Sequence, residues 1–342
     1  MIKHYLKLAT RHFQRNLTFS LINLFGLAFG LAATFAILLY LFDELSYERF
    51  HVHAEDIVRV NTLASFDGSN YNLATAANQV APFMGERVPE IDEAVRVFRH
   101  NFGESASIKV EESTFVESHL FWVDPNVFEV FTFDFIQGNR EQALNRANTV
   151  VLSQSTARKY FGNRNPVGET ISIDNRYQLE VTGIFEDMPS QTHLPFTVVA
   201  SFGTIPFGTP ERLSWGNASF YTFFKLAKGV DISQLTQKVN DLLKQEIPSD
   251  QLWYNLQLKP LLDIHLYSPG IEDDNVEYGA INQIWILFSL ACILVLIACI
   301  NYMNLSTAKS QKRSREVAVS KTVGASGGQL ARQYYVETAL TV

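Results

Sequence analysis

Two long uncharged apolar segments constrain this chain more than any other feature. The first covers residues 16–42 and the second residues 278–308, and neither contains Asp, Glu, Lys or Arg. At a rise of about 1.5 Å per residue, either segment forms a helix longer than the roughly 30 Å hydrocarbon core of a bilayer. A buried helix of a soluble protein needs only about 10 to 14 apolar residues, and the apolar run of a cleaved signal peptide has about 7 to 15. Both segments are therefore predicted to span a membrane.

The distribution of charge predicts how the chain is oriented. Residues 1–42 carry four basic side chains and no acidic one, and residues 281–342 carry six basic and two acidic side chains. The region between them holds 18 basic and 33 acidic side chains. Because basic residues near a span resist translocation, both chain ends are predicted to be cytoplasmic, with the acidic region outside. An acidic centre also argues against a nucleic-acid partner.

The predicted fold class is a membrane protein in which transmembrane α-helices flank a mixed α+β extracytoplasmic domain, because short strand-like and helical segments alternate between the spans. The predicted divisions are a cytoplasmic amphipathic helix (1–16), the first transmembrane helix (17–42), the extracytoplasmic domain (43–280), the second transmembrane helix (281–306), a cytoplasmic segment (307–328) and the start of a third transmembrane region (329–342).

Within the external domain, residue patterns predict individual elements. The predicted strands are Ile57 to Asn61, Val95 to Arg99, Thr149 to Leu152, Tyr177 to Phe185 and Phe220 to Leu226. The predicted helices are Ala74 to Arg87, Ser153 to Phe161, and Ile232 to Glu246, the last with Asp231 as its N-cap. The domain contains no cysteine, since Cys292 and Cys299 both lie in the second span. It is therefore predicted to fold without disulfides.

Motifs for catalysis are absent from the sequence. The segment from Gly162 to Thr170 differs from a phosphate-binding loop in its glycine spacing and in having Glu169 where Lys is needed, so it is interpreted as a turn. His51 and His53 lack a nearby third ligand for a metal and are interpreted as a solvated pair beside the membrane. The sequence thus predicts a non-catalytic protein with no catalytic residues, no metal site and no cofactor of its own.

Small residues in the first span predict close helix packing. Gly26 and Gly30 are separated by three residues, and Ala33 and Thr34 follow one turn later. Glycines at this spacing allow the backbone of a second helix to approach. We therefore predict that Gly26 and Gly30 pack against another helix.

A basic segment follows the second span. It runs KSQKRSREVAVSKTVGAS from Lys309 to Ser326, and it is predicted to form a basic helix on the cytoplasmic surface that stops at Gly324. The segment closely resembles the cytoplasmic segment of ABC-transporter permeases of the MacB and FtsX type. The positions that carry the resemblance are Arg313, Arg315, Glu316, Lys321, Gly324, Ala325 and Ser326, with Glu337 in the following helix.

Other segments carry the same resemblance. They are Phe121 to Phe131, Val150 to Gly162, Asn165 to Gly168 and Val181 to Pro189, which look like the MacB-like periplasmic core domain, and Lys7 to Phe19 near the N-terminus. In that family the permease relays motion from a separate ATPase to its external domain. The permeases of the family also continue into at least two further membrane helices, so the resemblance implies that this chain is the N-terminal part of a longer one.

The resemblance implies specific partners. These are a cytoplasmic ABC ATPase that carries the ATP and Mg²⁺, membrane lipid, a second permease in a homo- or heterodimer and, in export systems, a periplasmic adaptor or an outer-membrane channel. The implied roles of the domain are export, lipoprotein release or control of wall hydrolases, and the sequence does not choose between them. The alternative from another class is a membrane-bound extracytoplasmic sensor, which should continue inside as a heptad-bearing helix; Gly324, Gly327 and Gly328 interrupt such a pattern.

Overall fold

A pair of long helices and a large β-sheet domain make up the structure. The computed structural model describes residues 17–66, 68–272, 278–322, 324, 326–328, 331 and 335. The chain divides into two units, one formed by Met1–Leu45 with Ile281–Val342 and the other by Ser46–Ala280. The predicted helix 1–16, most of the predicted region 329–342, Ala325 and Glu337 lie outside the described residues.

The first unit contains two long helices, α1 (Leu17–Leu45) and α6 (Ile281–Thr322), which pack against each other. Phe25–Leu45 and Ile281–Asn304 are long and apolar enough to cross a membrane. Large apolar side chains on both helices are exposed, including Phe29 (80%) and Trp285 (62%). The core helix of a soluble protein buries such side chains. Their exposure here agrees with a helix that is surrounded by lipid.

The helix α6 is much longer than a membrane span. Its 42 residues extend about 63 Å at 1.5 Å per residue, about twice the hydrocarbon thickness. The helix continues without a break from the apolar residues into the basic segment and ends at Thr322. Gly324 then adopts φ 96°, and its N–H donates to the carbonyl of Lys321. The predicted stop at Gly324 is confirmed.

The second unit is a mixed α+β domain. Its strands are β1 (Ile57–Phe66), β2 (Ser69–Leu73), β3 (Ile91–Arg99), β4 (Ala106–Val110), β5 (Ser113–Glu117), β6 (Leu120–Val123), β7 (Phe135–Gly138), β8 (Thr149–Ser153), β9 (Thr170–Ile173), β10 (Tyr177–Phe185), β11 (Val198–Ser201), β12 (Tyr221–Leu226) and β13 (Tyr254–Pro260). Its helices are α2 (Val80–Arg87), α3 (Val127–Val130), α4 (Gln154–Phe161) and α5 (Ile232–Glu246).

The described strands form one continuous sheet in the order β13-β1-β12-β3-β6-β11-β8-β10-β9-β4-β5, with β2 paired to β1 and β7 to β10. The pairs β6–β11 and β8–β10 are parallel, and the other pairs are antiparallel. Val58 near the start of β1 lies opposite Pro260 at the end of β13. The chain therefore enters the domain after α1 and begins its return toward α6 at the same end of the sheet.

Successive side chains along the strands alternate between the two faces of the sheet, and apolar side chains lie on both faces. Ile57 and Phe223 belong to one buried cluster, while the next residues on their strands, Val58 and Phe224, belong to another. Successive side chains of a strand point to opposite faces, which explains the division. The helix α5 covers the second cluster with Leu235, Val239 and Leu243, one turn apart. Each of these side chains contributes roughly 1.5–3 kcal/mol by leaving water.

The five predicted strands are all present, and two of the three predicted helices match closely. Asp231 caps α5 as predicted, accepting hydrogen bonds from the N–H groups of Ser233 and Gln234. The predicted helix from Ala74 is wrong in its first part, because the helix begins only at Val80. Ala76 instead forms an isolated antiparallel bridge with Phe220. This long-range pairing overrides the local helix propensity of the alanines.

Candidate functional site

The predicted coupling residues that the structure describes lie in the C-terminal part of α6 and in the turn after it. Arg313, Arg315, Glu316 and Lys321 all lie on the continuous helix Ile281–Thr322. Ser326 follows the turn and is exposed. The segment 307–328, called the coupling segment below, is therefore joined by helix to the second apolar span. The role of these residues stays a prediction.

Gly26 and Gly30 lie where α1 approaches α6. A Cβ atom at Gly26 would lie 3.1 Å from Asn301 Nδ2, and one at Gly30 would lie 3.5 Å from Ala298 Cβ. Thr34, one turn after Gly30, is buried and donates its hydroxyl hydrogen bond to the Gly30 carbonyl at 2.8 Å. The approach of the two helices in this unit thus depends on side chains that are absent or small.

A second group of functional candidates lies where the chain enters the domain after α1. Four residues, Glu48, His51, Thr192 and His193, form what we call the junction cluster. Glu48 is three residues after the end of α1 and is only 2% exposed. It has a left-handed backbone with φ 60°, which is uncommon outside glycine and costs conformational energy. The tertiary contacts of its side chain hold it in that conformation.

The carboxylate of Glu48 accepts hydrogen bonds from three other residues of the cluster. The backbone N–H of His193 donates to Oε1 at 2.6 Å, and its ring Nδ1 lies 2.8 Å from the same oxygen. His51 Nε2 lies 3.1 Å from Oε2. The Thr192 hydroxyl donates to both oxygens, at 3.0 and 3.2 Å. A buried carboxylate with this many donors is compensated for its loss of water.

The tautomer of His51 follows from its second ring nitrogen. The backbone N–H of Thr132 donates to Nδ1 of His51 at 3.1 Å, so this nitrogen must carry a lone pair. The proton is therefore on Nε2, which donates to Glu48. Through this ring the cluster joins the segment after α1 to the segment after α3, and through His193 it joins both to the loop before β11.

Hydrogen bonds determine the charge of Glu48. Burial by itself raises the pKa of its carboxyl, but hydrogen bonds and charge interactions with His193 and His51 outweigh burial and lower the pKa from 4.5 to about 2. The side chain is therefore ionised in the folded domain under ordinary conditions.

This lowered pKa predicts a specific pH dependence of stability. Glu48 contributes its full stabilisation above pH 4.5 and loses it as the pH falls toward about 2, because protonation is then easier in the unfolded chain. A shift of this size corresponds to about 3 kcal/mol. We expect the difference in melting temperature between the wild type and Glu48→Gln to shrink over this pH range. A difference that stays constant on acidification would contradict the assignment.

Two further contacts, made by neighbours of the cluster, involve the segment that leads back to α6. Tyr47 stacks on His265, with ring centroids 3.5 Å apart and planes at 1°. Arg59 on β1 donates from Nη1 to the Tyr278 hydroxyl at 3.0 Å. Tyr278 is three residues before the start of α6. The two chain segments that join the domain to its apolar helices are therefore held by the same part of the domain.

The interpretation of His51 and His53 as a solvated pair is wrong for His51, which is 4% exposed. Its partners are distant in sequence, 81 residues away for Thr132, so no local pattern could identify them. The sequence analysis also missed Glu48, Thr192 and His193. The one available signal was a carboxylate close to two histidines directly after a span.

Among the described residues, no group of three or more His, Cys, Asp or Glu side chains is arranged to hold a metal ion. The segment from Gly162 to Thr170 is a turn, as predicted: α4 ends at Phe161, Gly162 has φ 64°, and β9 begins at Thr170.

A mixed α+β domain that follows one apolar helix and precedes another defines a membrane protein with a single large extramembrane domain. Residues 20–242 match the model of the MacB-like periplasmic core domain. This chain belongs to that family.

Two curated relatives and one solved structure illustrate the similarity. The macrolide export ATP-binding/permease protein MacB of Aggregatibacter actinomycetemcomitans is 22% identical over 244 residues, 70% of this chain and 35% of that protein. The uncharacterized ABC transporter permease YknZ of Bacillus subtilis (strain 168) is 24% identical over 217 residues, 60% of this chain and 46% of that protein. The matched part thus spans less than half the length of either relative.

The solved structure is a domain assigned to a permease of Porphyromonas gingivalis. It superposes with a TM-score of 0.54 and 20% identity, over 61% of this chain and 91% of that one. At this identity the similarity shows the fold alone.

Proposed function

We propose that this chain relays ATP-driven motion from a separate cytoplasmic ATPase to the α+β domain outside the membrane. The observation that carries the proposal is the continuity of α6, which joins the coupling segment to the apolar span and then to the last residues of the domain without a helical break. A continuous helix is stiff along its axis and transmits a displacement from one end to the other.

The coupling segment is the proposed docking site for the ATPase. The residues are Arg313, Arg315, Glu316, Lys321, Gly324, Ala325 and Ser326. Five of the six basic side chains of the C-terminal region lie between Lys309 and Lys321, and such a group favours association with an acidic surface. ATP and Mg²⁺ bind to the partner in this proposal, and the permease itself does not hydrolyse ATP.

The junction cluster is the proposed point at which motion enters the domain. Two residues separate Glu48 from the end of α1, and two separate Tyr278 from the start of α6. Side chains that are flexible or solvated would absorb a displacement at this point. The buried hydrogen bonds of Glu48 instead connect the segment after α1 to the rest of the domain.

Charge reversal at Glu316 tests the docking site. Glu316 is the one acidic residue of the coupling segment, and in this proposal it pairs with a basic side chain of the ATPase. In proteoliposomes with the full permease and its ATPase, Glu316→Arg is therefore expected to lower permease-dependent ATP hydrolysis about tenfold or more, because it would place two like charges in contact, which costs several kcal/mol in an interface. Glu272→Arg, the same reversal at an exposed position of the domain, serves as the control. Unchanged hydrolysis with Glu316→Arg would contradict the proposed docking site.

The mass of the reconstituted complex also shows whether the permease is paired with a second copy.

The proposed orientation places both chain ends in the cytoplasm and the domain outside the inner membrane. Truncations fused to alkaline phosphatase, which is active only outside the cytoplasm, test it. A fusion at Ser268 should be active and a fusion at Ser310 inactive, while a cytoplasmic reporter should give the opposite pattern. An inactive fusion at Ser268 together with an active one at Ser310 would overturn the orientation.

A further inference from the structure

Arg59 is an unusual residue for the middle of a sheet. Its side chain is on β1 and is 1% exposed. Its guanidinium donates from Nε to Asn61 Oδ1 at 2.8 Å and from Nη1 to the Tyr278 hydroxyl at 3.0 Å. Both acceptors are neutral. Its remaining nitrogen, Nη2, is buried without a hydrogen-bond partner among the described residues. A buried guanidinium hydrogen that lacks an acceptor is costly, so such groups are normally satisfied by protein or by water.

A second buried polar atom without a partner belongs to His193. His193 is 7% exposed, and its Nε2 has no hydrogen-bond partner among the described residues. Because Glu48 is ionised and can only accept, the proton of His193 is on Nδ1, which donates to Oε1 at 2.8 Å. In the neutral ring, Nε2 then carries a lone pair and is an acceptor. Arg59 supplies a donor and His193 supplies an acceptor.

Arg59 and His193 line one small cavity. Its other lining residues are Glu48, Leu194, Tyr221, Phe223, Leu261 and Ile264. The volume open to the centre of a water molecule is about 10 Å³, which corresponds to roughly one water. A cavity of this size does not admit an organic ligand. The Arg59 guanidinium disfavours a metal cation, and the Glu48 carboxylate disfavours an anion.

We infer that one ordered water occupies this cavity, accepting a hydrogen bond from Arg59 Nη2 and donating one to His193 Nε2. Buried waters typically satisfy polar groups that have no protein partner, and they make two to four hydrogen bonds. The water satisfies both orphaned atoms at once.

The water completes a chain of hydrogen bonds across the base of the domain. The chain runs from Glu48 through His193, the water and Arg59 to Tyr278. It links the segment that follows α1 to the segment that precedes α6. This functional significance rests on the proposed relay of motion, whereas the site itself depends only on the two buried atoms and the cavity between them.

The first test is an experimental structure of the full chain at a resolution that shows ordered water. We expect one peak within hydrogen-bond distance of both Arg59 Nη2 and His193 Nε2. The peak should be absent in Arg59→Met, which removes the donor while keeping an apolar chain of similar length. Empty density in the wild type, or direct contact between the two side chains with the cavity closed, would overturn the inference.

The second test reads the tautomer of His193 by nitrogen NMR of protein labelled with ¹⁵N-histidine, at neutral pH, with His193→Gln used to assign the signal. A neutral ring with its proton on Nδ1 supports the inference, and a proton on Nε2 overturns it. Neither readout depends on an ATPase. Failure here therefore leaves the proposed relay standing, and failure of the Glu316→Arg experiment leaves the water standing.

Discussion

Replacing Glu48 by Gln is expected to lower the free energy of unfolding of the domain by about 3 to 5 kcal/mol, the usual cost of removing one partner from a buried charged network. Four donors point at the carboxylate: the backbone N–H and the ring Nδ1 of His193, the ring of His51 and the hydroxyl of Thr192. The Gln side chain keeps the shape but replaces one acceptor by an NH₂ group, which then faces donors. The affected hydrogen bonds are lost, and the buried groups stay desolvated.

This effect is measurable by denaturant unfolding of the detergent-solubilised chain, followed by tryptophan fluorescence. Trp122, Trp215 and Trp253 all lie in the domain and report on its unfolding. Glu55→Gln is the matched control, because Glu55 is an exposed carboxylate in the same segment, and its change should stay within about 0.5 kcal/mol. If both variants unfold at the same denaturant concentration as the wild type, the junction cluster does not stabilise the domain.

Thr307→Pro is expected to separate ATP hydrolysis from movement of the external domain. Thr307 is the first residue of the coupling segment and lies inside α6. A proline there removes the backbone hydrogen bond to residue 303 and clashes with that carbonyl, which breaks or kinks a helix at a cost of about 3 kcal/mol or more. The proposed docking residues from Arg313 to Ser326 are unchanged, so docking of the ATPase should persist.

The readout is a fluorescent label on Val52→Cys, in a background where Cys292 and Cys299 are replaced by Ala. Val52 is 76% exposed and lies in the segment between α1 and β1. We expect the ATP-dependent change in fluorescence to fall at least about tenfold with Thr307→Pro, since each 1.4 kcal/mol corresponds to a factor of ten in population. Thr307→Ala keeps the helix and should keep the signal. A full signal with the proline variant would mean that motion does not travel along α6.

Local patterns in the sequence predicted much of the domain. The strand from Tyr177 to Phe185 was predicted with the bounds that the structure has, because its composition is typical of a strand and flanking Gly and Pro residues mark its ends. Asp231 was recognised as a cap because capping needs only the next three residues. The start of the helix at Val80 could not be predicted in this way. Ala76, which precedes it, pairs with Phe220, and Phe220 is far away in the chain.

The junction cluster shows the same limit for the functional site. Glu48 and His51 are three residues apart, and their proximity to a span was visible in the sequence. The interpretation of His51 as a solvated residue is wrong because its partner Thr132 lies 81 residues away. Glu48 was missed because its partner His193 lies 145 residues away. Nothing in the local composition distinguishes these two partners from other polar residues in loops.

The amino-acid sequence alone determined that the chain crosses a membrane and which family it resembles, because hydrocarbon thickness and charge near a span act on contiguous residues. Tertiary structure alone decided which polar residues are buried. The left-handed backbone of Glu48, the tautomer of His51 and the cavity between Arg59 and His193 all arise when separate strands and loops meet. Burial makes a hydrogen bond strong and an unpaired polar group costly, and burial is a property of the assembled sheet and loops.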